Sequence, residues 1–295
     1  MKVSAPTAVQ LAYLVAAIDH GSWTAAAESL EVSASAFAQG MAELEKRLGL
    51  GLFDKNGRRR VPTAAAETAV TYARRILGEI AAMQRWAEQS REGEVGQIRA
   101  GMIDTAAIHH FGDSLVRFRT LHPELAVRLT VRPSTQLFEM LDLGELDVVI
   151  AVAPDDDSGL HLRPLVAEPL YVYSSPGTTF GPPETWGPWV TFPADSRTRS
   201  LVARALHDVG ASFEVVAESS QPAVLREMVR LGMGWTVLAA VDAEREPHAL
   251  KRALDRPVAE RLLTLAHRLD RRPSAALERF IAMLVGAASI DEGDP

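Results

Sequence analysis

Residues 11–63 carry the clearest structural pattern in this chain, LAYLVAAIDHGSWTAAAESLEVSASAFAQGMAELEKRLGLGLFDKNGRRRVPT. An Ala-rich, helix-forming segment covers residues 23–30, residues 31–32 make a short turn, and Ser33 lies where a helix N-cap is expected. A second helix is predicted at residues 34–48, because its apolar residues recur at spacings of three and four. The stretch therefore predicts a helix-turn-helix.

The second predicted helix has one apolar face and one small, polar face. The apolar positions, which we expect to form a buried stripe, are Phe37, Met41, Leu44 and Leu48. The other face suits insertion into a DNA major groove, because small side chains leave room and polar ones can hydrogen-bond to base edges. We therefore predict that DNA is contacted by Ser33, Ala34, Ser35, Ala38 and Gln39.

The end of the second helix is marked by glycine, and a basic turn follows it. Gly49 and Gly51 are expected to end the helix, since glycine accepts positive φ. A hairpin tip is predicted at residues 56–57, and the cations around it are Lys55, Arg58, Arg59 and Arg60. A basic turn by itself is more often a solvated surface loop. Its position directly after two helices favours contact with phosphates or with a narrow minor groove.

The order of these segments resembles the winged helix-turn-helix of LysR-type transcriptional regulators, and the resemblance extends over almost the whole chain. Its most specific run is LEKRLGLGLF at residues 44–53. Further phrases of the same kind are HPELAVRLTV, LDLGELDVVIAV, RPLVAEPLYVY and VLREMVRLGMGWTVLAA. The chain departs from the family after Ser33, where the family usually has Gln and Pro and this sequence has Ala34 and Ser35. Few groups on this helix can therefore read bases.

Composition narrows the class of protein. With 295 residues and 47% hydrophobic content, the chain can bury a large core and is expected to hold more than one domain. No apolar run approaches the roughly 20 residues that span a membrane, so we expect a cytoplasmic protein. The absence of cysteine excludes disulfides and thiol redox sensing. The net charge of -7 is uneven, since residues 1–62 hold 7 Lys or Arg against 6 Asp or Glu, whereas the remainder holds 24 against 32.

Residues 63–92 have the composition of one long helix, without proline and with a single glycine. Apolar and small residues alternate there at spacings of three and four, which is a heptad seam. The seam consists of Val70, Ala73, Leu77, Ile80, Gln84 and Ala87. We predict that this helix joins two chains into a homodimer. The alternative is a core helix that packs on its own domain.

Beyond a predicted hinge at residues 93–96, short apolar strands alternate with amphipathic helices. This pattern predicts an α/β domain with a mostly parallel sheet and one helix across residues 106–121. The resemblance implies a periplasmic-binding-protein-like fold whose second subdomain covers about 174–261. The predicted fold class is thus α+β with two domains. The boundaries are 1–62 for an all-α winged helix-turn-helix, 63–92 for a linker helix and 93–295 for the α/β effector-binding domain.

A ligand is expected at the carboxyl ends of the strands, where helix N-termini direct free N–H groups toward it. The polar residues predicted at these junctions are Asp104, Thr105, Ser134, Thr135, Ser219 and Ser220. Each hydroxyl taken singly is more often a simple helix cap, but the several junctions are expected to converge on one cleft. Arg199 is the candidate partner for a carboxylate, with a plain surface arginine as the alternative. A carboxylate at Asp104 would repel an anion and favour an amine or hydroxyl on the effector.

These features predict a transcriptional regulator that binds double-stranded promoter DNA as a homodimer and is controlled by a small-molecule effector. The resemblance to the family implies a dimer of dimers. The alternative is a solute-binding module with a degenerate helix-turn-helix that acts mainly through protein contacts. An enzyme is disfavoured, because no nucleophile with its base and no cofactor motif is found. We expect no cofactor and no metal. His109 and His110 are adjacent on a predicted helix, so they are expected to diverge and to be cap or surface residues.

Overall fold

The structure is a computed structural model that describes residues 5–291, apart from residues 57–58, 93–95, 155–158 and 247–248. The chain divides into two compact units. The first comprises residues 1–94 together with the short segment 142–145, and the second comprises the remaining residues.

The first unit contains four helices and a two-stranded hairpin. In chain order they are α1 (Ala8–His20), α2 (Trp23–Ser29), α3 (Ala34–Leu48), β1 (Phe53–Asn56), β2 (Arg59–Pro62) and α4 (Ala64–Glu92). The two strands are antiparallel, with Phe53 opposite Pro62 and Asn56 opposite Arg59. The predicted order of helix, turn, helix and wing is present. The two residues that join the strands, Gly57 and Arg58, lie outside the described residues.

The bounds of α3 follow from local chemistry. Ser33 is its N-cap, and the Ser33 hydroxyl accepts a hydrogen bond from the Ala36 amide at 3.2 Å. Gly49 ends the helix at φ 68°, in the left-handed region that glycine enters without steric cost. Gly51, predicted to help end the helix, is not among the glycines with positive φ. Leu48 is 36% exposed, so the predicted buried stripe is one residue too long.

A close approach between α1 and α3 explains why α3 contains Gly40. A Cβ atom added to Gly40 would lie 2.5 Å from Cε2 of Tyr13, which is far inside van der Waals contact. The Tyr13 ring also stacks on Phe37, with ring centroids 4.9 Å apart. Glycine in a helix interior costs about 1 kcal/mol in propensity. Here it allows the ring of α1 to pack directly against the backbone of α3.

The long helix α4 presents two apolar faces. Ala66, Val70 and Ala73 are buried in the core of the first unit. A separate stripe is exposed, with Tyr72 at 62% and Met83 at 61%. The predicted heptad seam is therefore wrong at Val70 and Ala73, where the alternative of a helix packed on its own domain holds.

The second unit begins at β3 and is built from strands and helices in turn. Its elements are β3 (Gln97–Met102), a π-helical turn (Ala106–His110), α5 (Gly112–Leu121), β4 (Ala126–Val131), α6 (Ser134–Asp142), β5 (Val148–Val152), β6 (Leu160–Ser174), β7 (Trp189–Thr191), α7 (Arg197–Asp208), β8 (Val215–Glu218), α8 (Pro222–Arg230), β9 (Thr236–Ala239), α9 (Ala240–Ala243), β10 (Lys251–Arg252), β11 (Ala259–Arg268) and α10 (Ala275–Asp291). The single helix predicted at residues 106–121 is interrupted at Phe111, whose side chain is buried.

The main sheet is mixed, which corrects the prediction of a mostly parallel one. Its strand order is β10-β6-β11-β5-β3-β4, and β9 pairs with β6. In the described part of the chain, the parallel pairs of this sheet are β3 with β4 and β3 with β5. Its other pairs are antiparallel. The long strands β6 and β11 run antiparallel from Ala259 opposite Leu170 to Arg268 opposite Leu160. Two long antiparallel strands replace the crossover helices that a parallel sheet would need.

The second unit contains two lobes with separate cores. The first lobe is built on β3, β4, β5, α5, α6 and α10. In its core, the rings of Phe118 and Phe280 pack edge to face, with their centroids 5.0 Å apart. The second lobe is built on β7, β8, β9, α7 and α8 and buries Trp189 and Leu225 in two adjoining clusters. Strands β6 and β11 belong to both lobes.

Candidate functional site

A cavity of about 270 Å³ lies in the second unit, and both lobes contribute to its walls. It is lined by Ile103, Asp104, Pro133, Ser134, Thr135, Gln136, Phe192, Pro193, Asp195, Ser196, Arg197, Thr198, Ser220, Pro222 and Arg261. At the liquid volume of about 30 Å³ per water, this space equals about nine water molecules. The cavity therefore suits a small polar molecule.

Three helix N-termini open onto this cavity. The lining includes Ser134 at the start of α6, Arg197 at the start of α7 and Pro222 at the start of α8. The first amides of a helix have no partner within the helix, and the aligned peptide dipoles give that end a partial positive charge. Their convergence favours an anionic group on whatever occupies the cavity.

Four of the predicted effector residues line the cavity: Asp104, Ser134, Thr135 and Ser220. Two of them also make structural hydrogen bonds. The Ser134 hydroxyl accepts a hydrogen bond from the Val152 amide at 3.3 Å, and the Thr135 hydroxyl donates one to the Asp195 carbonyl at 3.1 Å. The second bond joins an α6 residue of the first lobe to the loop that precedes α7 in the second lobe.

Three other predicted residues do not line the cavity. Ser219 uses its hydroxyl to accept a hydrogen bond from the Gln221 amide at 3.2 Å. The Arg199 guanidinium pairs with the Glu218 carboxylate and donates a hydrogen bond to the Phe192 carbonyl at 3.3 Å. The arginines in the lining are Arg197 and Arg261. Arg197 and Arg199 both lie at the start of α7, but Arg197 lines the cavity, whereas Arg199 has its partners within its own lobe.

The third, Thr105, is buried beside the cavity and belongs to a polar network around Arg261. Arg261 is 3% exposed, and its Nε donates a hydrogen bond to Glu168 Oε2 at 2.8 Å. Its Nη2 also donates to Glu168, and to the Thr105 hydroxyl at 3.3 Å. The Thr105 hydroxyl in turn donates to Asp242 Oδ2 at 3.0 Å. The network thus connects the first strand junction, both long strands and α9.

The two adjacent histidines contact different carboxylates of this network. His109 Nε2 lies 3.4 Å from Asp242 Oδ1, and His110 Nε2 lies 3.0 Å from Glu168 Oε1. Their side chains diverge, as predicted, but both are largely buried, so the expectation of cap or surface residues is wrong. Sequence reasoning named neither Glu168 nor Asp242 nor Arg261, since no local pattern links residues so far apart in the chain.

Burial and charge set the ionisation of the three carboxylates. Burial raises the pKa of Asp104, and the neighbouring Asp242 charge adds to this effect. Burial likewise raises the pKa of Asp242. Burial also opposes ionisation of Glu168, but the hydrogen bond from His110 and the charge of Arg261 outweigh it and lower the Glu168 pKa. Glu168 is therefore the natural counter-ion of Arg261.

In the first unit, the predicted groove-facing residues form one accessible surface at the start of α3. Ser33, Ala34, Ser35 and Gln39 are exposed, and Ala38 is half-buried. The Ser33 and Ser35 hydroxyls lie 3.0 Å apart. Each retains hydrogen-bonding capacity toward a partner, because a hydroxyl is both donor and acceptor.

The hairpin β1–β2 is held to the helices by two contacts that sequence reasoning missed. Glu45 Oε1 accepts hydrogen bonds from the amides of Leu52 at 2.7 Å and Phe53 at 3.1 Å. Arg60, predicted to contact DNA, is exposed and lies over the Trp23 ring, 4.7 Å from its centroid. Lys55 is opposite Arg60 in the hairpin. Arg58, also predicted to contact DNA, lies outside the described residues.

Comparison with known proteins gives matches to two family models. Residues 9–67 match the bacterial regulatory helix-turn-helix protein model of the lysR family, and residues 91–289 match the LysR substrate binding domain. The chain is 26% identical over 280 residues to the uncharacterized HTH-type transcriptional regulator YfeR of Shigella flexneri, covering 91% of this chain and 90% of that one. It is 25% identical to the RuBisCO operon transcriptional regulator of Allochromatium vinosum, covering 80% of each.

Solved structures show the same fold. The structure of CbnR, a LysR family transcriptional regulator, has a TM-score of 0.69 at 23% identity and covers 96% of this chain and 99% of CbnR. Full-length CbnR complexed with its target DNA has a TM-score of 0.68 at 22% identity, with the same coverage. Within the described residues, no helix has the length and apolar character required to cross a membrane.

Proposed function

This chain belongs to the LysR family of DNA-binding transcriptional regulators, and from that premise we propose that a small molecule in the cavity controls how it binds promoter DNA. The observation that carries the proposal is the cavity itself, at which three helix N-termini meet in a unit that matches the LysR substrate binding domain. The role is a binding equilibrium and requires no catalysed reaction. Because bacterial promoter DNA lies in the cytoplasm, the proposed role places the chain there.

We assign DNA contact to the exposed start of α3 and to the basic hairpin. Ser33, Ala34, Ser35 and Gln39 supply a small, polar surface for the major groove. Lys55, Arg58, Arg59 and Arg60 supply positive charge for phosphates. Because few side chains on α3 can read base edges, phosphate contacts and DNA shape are expected to contribute a large part of the affinity.

We propose that α4 joins two chains through its exposed stripe, Tyr72, Ile76 and Met83. These three apolar side chains are exposed, and burying them between two copies would remove their apolar surface from water. Two copies place two α3 helices on DNA with a half-site spacing of about one turn or a multiple of it. The assembly is accordingly a homodimer or a dimer of such dimers.

The effector acts through its different affinities for two arrangements of the protein. Asp104, Ser134, Thr135 and Ser220 contact it in this proposal, with Arg261 at the wall of the cavity. The alternative, a solute-binding module with a degenerate helix-turn-helix, is disfavoured, because residues 9–67 match the regulatory helix-turn-helix model and α3 is capped by Ser33 and Gly49.

The test is a fluorescence-anisotropy titration of the full chain with the duplex upstream of its own gene, against a scrambled duplex at two salt concentrations. We expect at least a hundredfold preference for the genuine duplex, which corresponds to about 2.7 kcal/mol. Equal, salt-sensitive binding to both duplexes would contradict specific regulation of that promoter and favour the solute-binding alternative.

A further inference from the structure

The cavity contains an acid and a base that do not neutralise each other by direct contact. Asp104 and Arg261 both line it. Burial raises the pKa of Asp104 and the Arg261 charge opposes this rise, but Asp104 has no salt bridge with Arg261 or with any other described residue. A carboxylate beside a guanidinium normally pairs with it directly. Here Glu168 occupies that place, which leaves Asp104 available to a ligand.

Arg261 retains a hydrogen-bonding group for a ligand as well. Its Nε and Nη2 donate to Glu168 and Thr105. Within the part of the chain that the structure describes, its Nη1 makes no hydrogen bond, although the side chain is only 3% exposed. A guanidinium has five N–H donors in a fixed plane, so a buried one that lines a cavity presents its remaining donors to the occupant. The helix N-termini of α6, α7 and α8 add partial positive charge to the same cavity.

Three carboxylates surround Arg261, namely Asp104, Glu168 and Asp242. Of these three, Asp104 lines the cavity, so a purely anionic ligand would place a like charge beside it. A ligand that also carries a cation would give the Asp104 carboxylate an opposite charge within the cavity.

We propose that the effector is a small ampholyte with an ammonium and a carboxylate on one carbon, that is, an α-amino acid or a close analogue. The ammonium binds the Asp104 carboxylate, and the carboxylate binds Arg261 Nη1 and the free amides at the helix N-termini. Because Asp104 and Arg261 line the same small cavity, they can bind the two opposite charges of one head group. This inference rests on the proposed function, since it names the chemical class of the effector for the same cavity.

The apolar part of the lining limits the side chain of the ligand. Ile103, Phe192 and Pro193 share the wall with the polar groups. The volume of about 270 Å³ accommodates a head group with a short or medium side chain. A single anionic group without a donor would leave Asp104 facing a like charge, and an amine without an acid would leave Arg261 Nη1 unsatisfied.

The test is isothermal titration of the full chain with the twenty L-amino acids. Each one that binds is then compared with its deaminated acid and its decarboxylated amine. We expect at least one amino acid to bind, and both of its matched analogues to bind at least tenfold more weakly. Binding of a deaminated acid as tight as that of its amino acid would overturn the proposal. So would the failure of all twenty amino acids to bind at millimolar concentration.

Two variants separate the role of Asp104 from a general change in the protein. Asp104→Asn is expected to remove the preference for the amino acid over its deaminated acid, while the acid still binds. The control is Asp208→Asn, an exposed aspartate at the end of α7 that does not line the cavity and should leave all affinities unchanged. A preference that persists in Asp104→Asn would overturn the assignment. If that variant does not fold, the comparison of each amino acid with its two analogues on the wild-type protein still tests the proposal.

The promoter titration distinguishes the two proposals. Selective DNA binding by a chain that binds no amino acid overturns the ampholyte inference and leaves the regulator proposal intact. Binding of an amino acid with the expected discrimination, but without any effect on the DNA complex, supports the ligand class and contradicts the proposed regulation.

Discussion

Glu45 of α3 accepts a hydrogen bond from the Leu52 amide at 2.7 Å, and this bond couples the end of the helix to the start of the hairpin. A second bond from the Phe53 amide, at 3.1 Å, uses the same carboxylate oxygen. The carboxylate thereby satisfies two backbone donors that no helix or strand pairs. It also sets the position of the basic hairpin relative to the predicted groove helix.

Replacing Glu45 is expected to loosen this coupling. Glu45→Ala leaves two amides without their acceptor and should lower the free energy of unfolding by about 1–3 kcal/mol. Chemical denaturation followed by circular dichroism measures the change. Glu43→Ala is the matched control, since Glu43 makes a half-exposed pair with Arg47 in the same helix and should cost less than about 1 kcal/mol. Equal losses in the two variants would argue against the anchoring role of Glu45.

Gly40 and Gly286 are predicted to respond oppositely to alanine. A Cβ at Gly40 would lie 2.5 Å from the Tyr13 ring, so Gly40→Ala should destabilise by about 1–3 kcal/mol despite the better helix propensity of alanine. Gly286, in α10, has nothing within 4 Å of the added Cβ, so Gly286→Ala should stabilise by up to about 1 kcal/mol. Melting temperatures of the two variants measure the difference. A stabilising Gly40→Ala would show that the two helices can separate at little cost.

Arg60 is expected to contribute to DNA affinity without regard to sequence. Arg60→Ala should weaken binding to genuine and scrambled duplexes alike and reduce the slope of log affinity against log salt by about 1. Anisotropy titrations at several salt concentrations measure this slope. Arg204→Ala, at an exposed position on α7, is the control and should leave the slope unchanged. An unchanged slope in Arg60→Ala would mean that Arg60 serves only to cover Trp23.

Glu168 is predicted to make stability depend on pH. Its pKa in the folded protein is lowered from the ordinary 4.5, because the hydrogen bond from His110 and the Arg261 charge outweigh burial. The stabilisation it provides is therefore complete above the unfolded pKa and is lost as pH falls through the lower folded pKa. Glu168→Gln should cost about 3–5 kcal/mol at neutral pH, since it leaves Arg261 buried without its counter-ion.

The cost of Glu168→Gln should shrink as the pH falls below 4.5, where the wild-type carboxyl becomes protonated as well. Denaturation curves at several pH values measure this difference. Glu260→Gln is the control, because Glu260 is exposed on the same long strand as Arg261. A cost for Glu168→Gln that does not change with pH would contradict the assignment of Glu168 as the counter-ion.

The exposed stripe of α4 is expected to determine the oligomeric state. The double variant Ile76→Glu and Met83→Glu places charges on that stripe and should convert the dimer to monomers. Light scattering coupled to gel filtration measures the mass. The control is Thr71→Glu. Thr71 is exposed on the same helix outside the stripe, so this variant should leave the mass unchanged. A dimer that survives the double variant would place the interface elsewhere.

The elements predicted correctly from the sequence are those whose signals are local. The bounds of α3 follow from Ser33 at one end and Gly49 at the other, and both signals lie within one turn of the helix. Short apolar strands are predicted beyond residue 96, and the structure has β3 and β4 there. For the candidate site, the strand-to-helix junctions place Asp104 and Ser134 at the cavity, because a hydroxyl or carboxylate there lies beside free helix amides.

The remaining features depend on which distant segments meet. Arg261 and Glu168 are 93 residues apart, so nothing near either residue in the chain indicates that they pair. The direction of β11 in the sheet is likewise absent from its own apolar pattern, since a strand has the same alternation in both directions. The sequence alone thus indicates the family, the helix-turn-helix and the strand-to-helix junctions around the cavity, because capping and periodicity act over a few residues. Packing of segments from both lobes determines the charges at the cavity, and packing within the first unit determines which face of α4 is buried. Both depend on contacts between residues far apart in the chain.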